Sequence, residues 1–122
     1  MAHILLVDDE PLVAESLSLA MTSIGHTVVA ARNGVEAMQR VLEENFDLLV
    51  TDIVMPSKDG IEVIMEMRRA RPDIRVIAIW GGGRHGTSDF LKMASGLGAF
   101  ATLKKPIHLA EFVETLNRSL SV

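Results

Sequence analysis

Three aspartates and one lysine have the types and positions to act together. Asp8 and Asp9 follow the apolar run Ile4-Leu5-Leu6-Val7, Asp52 follows Leu48-Leu49-Val50-Thr51, and Lys105 follows Thr102-Leu103-Lys104. Carboxylates gathered in a partly dry cleft repel one another, and the repulsion must be offset by protons or a cation. No His or Cys stands at these positions, so the donors are all oxygen, which suits a hard ion such as Mg²⁺ better than zinc. Mg²⁺ commonly accompanies phosphoryl groups. A carboxylate beside it can attack a phosphoryl donor and form an aspartyl phosphate, with a nearby Lys neutralising the transferred oxygens. Asp52 is the candidate nucleophile.

These residues can meet only if the chain brings the ends of several strands together. Short apolar runs alternate with longer amphipathic stretches, the pattern of repeated βα units. Strands are expected at 4–7, 27–31, 47–51, 76–80 and 100–104. The first helix opens at Pro11 and closes at Gly25, with Val13, Leu17, Ala20, Met21 and Ile24 on one face. Asn33 can cap the second, with Glu36 three residues on and Val35, Met38 and Leu42 facing inward. A third helix runs from near Ile61 to before Pro72, and a fourth carries Phe90, Ala94 and Leu97 before Gly98. The last shows a stripe of Leu109, Phe112, Val113, Leu116 and Leu120.

Five strands cannot close an eight-stranded barrel, so an open, doubly wound α/β fold with a five-stranded parallel sheet is expected. The first, third and fourth strands are the most apolar and should be central, giving the order 2-1-3-4-5. Ligands then bind beyond the carboxyl ends of the strands, where the strand order reverses between the first and the third. Asp8, Asp9, Asp52, Trp80 and Lys105 all fall at that edge.

A length of 122 residues fits one domain and leaves no room for an output domain of ordinary size, and 48% hydrophobic with 23% charged residues is the composition of a globular chain. There is no Cys, which excludes a disulfide framework and a thiolate metal site. A signal peptide and a bilayer-length apolar run are both missing from the sequence, so a cytoplasmic location with no membrane partner is expected. The net charge of -4 conceals an asymmetry, with 12 acids and 3 bases in the first 66 residues and 4 acids and 9 bases in the rest. Arg68, Arg69, Arg71 and Arg75 cluster where a helix ends, where the helix dipole favours cations, and no nucleic-acid partner is expected from them.

Taken together, Asp8-Asp9, Asp52-Ile53-Val54-Met55-Pro56, Asp59-Gly60 and Lys105-Pro106 resemble the receiver domain of two-component response regulators, over the whole chain. The resemblance implies the flavodoxin-like receiver fold. It implies Asp52 as phosphoacceptor, Asp9, Asp52 and the Val54 carbonyl on Mg²⁺, and Asp8 acting on the ion through water. It also implies Lys105 at the phosphoryl group, with a cis bond to Pro106. The phosphodonor would be a phosphohistidine on a sensor histidine kinase or a histidine phosphotransfer protein, met by the first helix. A downstream protein effector would read the last helix pair and fifth strand. Such a chain would be a stand-alone regulator, a monomer or weak dimer, catalysing only its own phosphorylation and dephosphorylation.

Two positions depart from the family. Receivers usually end the fourth strand in Thr or Ser, where this chain has Trp80, and carry Tyr or Phe three residues before the lysine, where it has Thr102. Trp cannot replace a small hydroxyl sterically. The indole of Trp80 either fills part of the space left by Thr102 or simply covers the core as a strand-end apolar residue. The same two residues motivate an alternative, a pseudo-receiver that binds proteins with atypical or no phosphorylation-driven switching.

Two enzymatic readings fit less well. Gly81, Gly83 and Gly86 spell G-x-G-x-x-G, but after the fourth strand and without a later ribose-binding acid, so a dinucleotide site is not expected. Aspartyl-nucleophile phosphatases carry a second Asp two residues after the first, where this chain has Val54, so a phosphoaspartate would persist.

Overall fold

The computed structural model describes residues 1–53, 60–81, 92 and 94–121. Its elements follow the expected alternation. They are β1 (His3–Val7), α1 (Pro11–Ser23), β2 (Thr27–Ala31), α2 (Gly34–Glu43), β3 (Leu48–Asp52), α3 (Gly60–Ala70), β4 (Arg75–Trp80), β5 (Ala101–Lys104) and the C-terminal helix α4 (Leu109–Leu120). Residues 94–96, between β4 and β5, are also helical. All strand pairs are parallel, in the order β2-β1-β3-β4-β5.

Parallel strands covered on both faces need apolar side chains at nearly every position. Ile4, Leu5, Leu6 and Val7 of β1 are fully buried, as are Leu48, Leu49 and Val50 of β3 and Val76, Ile77, Ala78 and Ile79 of β4. The two-residue period of a strand divides them between two cores. Leu5, Val7, Leu49, Val76 and Ala78 pack with Ala37, Ile64 and Met67 of α2 and α3. Ile4, Leu6, Leu48, Val50, Ile77 and Ile79 pack with Leu17 and Met21 of α1 and Phe112 and Leu116 of α4. The edge strands β2 and β5 are only partly buried.

Local signals place the helix ends. Pro11 stands in the first turn of α1, and Gly25 follows its end with φ +102°. Asn33 Oδ1 accepts from the Glu36 N–H at 2.8 Å, the expected cap of α2.

The inward face expected of α2 is corrected. Val35 is 56% and Leu42 86% exposed, Met38 is only half-buried, and the buried residues are Gly34 and Ala37, with Val41 partly buried against the core. The helix is rolled so that its small residues face inward, which allows a closer approach than Leu42 would. Two further stripe residues are also misplaced by periodicity. Ile24 is 39% exposed at the end of α1, and Leu109 46% exposed in the first turn of α4. Met55-Pro56, Asp59, Gly82, Gly83, Arg84, His85, Gly86 and Phe90 lie outside the described residues.

Candidate functional site

The sheet register brings the acids together. Val7 of β1 pairs with Thr51 of β3, so Asp8 emerges beside Asp52, which in turn pairs with Ile79 of β4. Both side chains are nearly inaccessible, Asp8 at 1% and Asp52 at 4% relative exposure. At the far end of the chain, β5 delivers Lys105 to the same point. Its Nζ lies 3.0 Å from Asp52 Oδ2, 3.3 Å from Asp8 Oδ2 and 2.5 Å from Glu10 Oε1. The Lys105-Pro106 peptide is cis.

Asp8, Glu10 and Asp52 each direct a carboxylate oxygen into one cluster, with these oxygens within 4.8 Å of one another. Asp9, one of the metal ligands implied by the family resemblance, is half-buried beside this group but is not part of it, and Val54 lies outside the described residues. Glu10 was not anticipated as a site residue. It stands at the N-cap of α1 without a side-chain capping bond, which leaves its carboxylate available to Lys105. A Glu immediately before a helix-opening Pro at this sheet edge was the signal for it.

The electrostatics follow from three acids sharing one ammonium. Burial pushes the Asp8 carboxyl up from 3.8 to about 6, against the Glu10 N–H that donates to Oδ1 at 2.8 Å and against the charge of Lys105. Asp8 Oδ2 is buried and has no hydrogen-bond partner. Burial disfavours the charged form of Lys105, but hydrogen bonds to Glu10 and Asp52 and the charges of Asp52 and Asp8 together outweigh it, and its pKa rises. A buried carboxylate oxygen that accepts no hydrogen bond and has only the Lys105 ammonium beside it, within an all-oxygen donor set, is what a hard cation would satisfy, so the residues fit Mg²⁺.

Gly60 explains how this edge closes. A Cβ at that position would stand 2.0 Å from the Asp52 carbonyl oxygen and 2.5 Å from Ile53 Cα, and its N–H donates to Ile53 O at 3.2 Å. The start of α3 therefore presses on the end of β3 at the residue following the acid, a close approach only Gly permits.

Trp80 and Thr102 lie on the same face of the sheet, in a register where Ala78 pairs with Thr102 and Trp80 with Lys104. Both line one cavity of about 540 Å³ with Lys104, His108 and Glu111. The indole is half-buried against the core that contains Ala78 and Ala94, so it does not point away into solvent.

A doubly wound sheet that gathers buried carboxylates and a lysine at its switch point is the arrangement of a receiver domain. Residues 4–117 match the family model described as the response regulator receiver domain, and the chain belongs to that family. It is a response regulator receiver domain with an acidic pocket at Asp8, Glu10 and Asp52 beside Lys105.

The response regulator receiver protein CpdR of Brucella abortus is 34% identical over 123 residues, a match that covers 98% of each chain. The transcriptional regulatory protein GlrR of Escherichia coli is 32% identical over 119 residues, covering 98% of this chain and 26% of that protein, so the chain spans about a quarter of such relatives. Among solved structures, the response regulator TrrA of Thermotoga maritima, in complex with Mg²⁺-BeF, superimposes with a TM-score of 0.84 at 32% identity. That match covers 98% of this chain and 100% of the other. The acidic cluster here is of the kind typical of receiver Mg²⁺ sites.

Proposed function

We propose that this domain accepts a phosphoryl group at Asp52 from a phosphohistidine, and that the modified domain binds a downstream protein effector differently. The observation that carries the reading is the nearly inaccessible Asp52 carboxylate with Lys105 Nζ at 3.0 Å. An Asp52 carboxylate oxygen bonds to phosphorus as the phosphorus–nitrogen bond of the donor breaks, and the imidazole leaves with the electron pair. Lys105 exchanges part of its contact with the carboxylates for contact with the transferred oxygens. Asp8, Asp52 and Glu10 supply carboxylates for Mg²⁺, with Asp9 and the Val54 carbonyl as the further ligands implied by the family. When bound there, Mg²⁺ would supply positive charge toward the phosphoryl oxygens.

The partners follow from the same reading. A histidine kinase or phosphotransfer protein docks beside α1, where a groove of about 780 Å³ is lined by Leu12, Val13, Ile107 and Leu109 and reaches Glu10 and Lys105. Leu12 is 80% exposed there, a large apolar side chain available to a partner. The effector reads β5 and α4. The domain acts on its own Asp52 and on no other substrate, in the cytoplasm, as a monomer or weak dimer. No described helix is long and apolar enough to cross a membrane.

The test is intact mass after incubation with a small-molecule phosphodonor. A Mg²⁺-dependent gain of one phosphoryl group in the wild type, absent in Asp52→Asn, is expected. Mg²⁺ binding without any gain, from a small donor or a kinase, would overturn the reading in favour of a pseudo-receiver, which Trp80 and Thr102 motivate.

A further inference from the structure

We propose that Trp80 is a positioning residue for Lys105, acting through Lys104. The inference rests on the reading of Lys105 as part of the phosphoryl site. Two contacts join the ends of β4 and β5. The Lys105 N–H donates to the Trp80 carbonyl oxygen at 2.7 Å, and Lys104 Nζ lies over the Trp80 ring, 5.3 Å from its centroid. Trp80 and Lys104 are also register partners.

The geometry of an extended chain turns these contacts into a constraint. Consecutive side chains at a strand end point to opposite sides, so a clamp on Lys104 sets the direction in which Lys105 leaves the backbone. Lys104 is exposed and, without the indole, would be free to swing, while Lys105 must reach three carboxylates at once. An ammonium held on an aromatic face on one side of the strand therefore orders the ammonium on the other. Trp is the best aromatic for holding a cation in this way. The bulk of Trp80 at this position thus has a use that a small side chain could not supply.

The test reads Lys105 directly, without phosphorylation. Lysine acylation followed by peptide mass spectrometry measures how well each ammonium is protected, and Lys105 of the wild type should label slowly. Lys104→Gln removes the cation at an exposed position, and Trp80→Leu removes the ring. Each should raise the Lys105 labelling rate about threefold, the size expected when an exposed cation–π contact is lost. Trp80→Phe should restore protection, because an aromatic face returns.

A purely structural role for Trp80 would lower the melting temperature of Trp80→Leu and leave Lys105 labelling unchanged in Lys104→Gln. Unchanged labelling in both variants overturns the proposal. The phosphorylation rate, measured in parallel, should fall by a similar factor. If the wild type takes up no phosphoryl group, the function proposed above fails, and the labelling still decides the clamp.

Discussion

The two edges of the sheet handle polar groups in opposite ways. At the edge where β1 begins, every charged group of the His3 cluster has its own partner. The His3 ring stacks on Phe46 at 4.8 Å, its Nδ1 meets Thr27 Oγ1 and its Nε2 meets Glu44 Oε1, both at 2.7 Å, while Asp47 Oδ2 accepts from the His3 N–H. At the edge where β1 ends, three carboxylates share one lysine, one oxygen has no hydrogen bond, and burial has raised the proton affinity of Asp8. The first edge is built to be stable. The second keeps a carboxylate that burial has stripped of water, in a place where a cation would be favoured.

Three substitutions probe this contrast, in order of decreasing effect. Gly60→Ala should be the most damaging, because its Cβ would overlap the backbone at Asp52 and Ile53. A loss of at least about 3 kcal/mol in urea unfolding, or failure to fold, is expected. A loss below about 1 kcal/mol would show that α3 can move off β3 without consequence.

Asp8→Asn should do the reverse and stabilise the metal-free protein. The folded-state pKa of Asp8 is about 6 against 3.8 for the free group, so its stabilising protonated form is fully present below pH 4 and is lost as the pH rises through 6. Asn keeps the carbonyl that accepts from the Glu10 N–H and carries no charge. At pH 7 the variant should therefore be more stable by on the order of 2–3 kcal/mol, an advantage that shrinks towards zero near pH 4. Equal stabilities at pH 7 would mean that burial does not penalise the Asp8 charge.

His3→Leu should be destabilising, because Glu44 loses its ring partner and Thr27 one of its two side-chain contacts at an edge where all are satisfied. A loss of about 1–2 kcal/mol is expected by thermal or chemical unfolding. A neutral or stabilising result would remove the distinction between the two edges.

Much of this architecture could be read from residue order. The alternation of apolar runs and amphipathic stretches placed all five strands to within one residue at each end, and the apolar character of 4–7, 47–51 and 76–80 marked the central strands. Asp8, Asp52 and Lys105 were recognisable because a doubly wound sheet exposes the carboxyl ends of its strands on one side. The face of α2 could not be read in this way. Val35 and Leu42 have the right spacing for a buried stripe, yet Gly34 and Ala37 are buried instead. Periodicity defines a stripe, whereas the roll of a helix depends on how closely its neighbours can approach.

The extent of each strand and the helix caps depend on residues close in sequence, and for these the amino-acid order was sufficient. The part taken by Glu10, the placing of Lys105 among three acids, the contact of Gly60 with the end of β3 and the clasp of Lys104 on Trp80 emerged only from tertiary packing. Lys105 and Asp8 are 97 positions apart, and Lys105 and Glu10 are 95 apart. Whether such residues meet at 2.5 Å or at twice that distance depends on sheet twist, register and the depth of each helix. Those quantities are set by the packing of the whole core, which no local stretch of sequence contains.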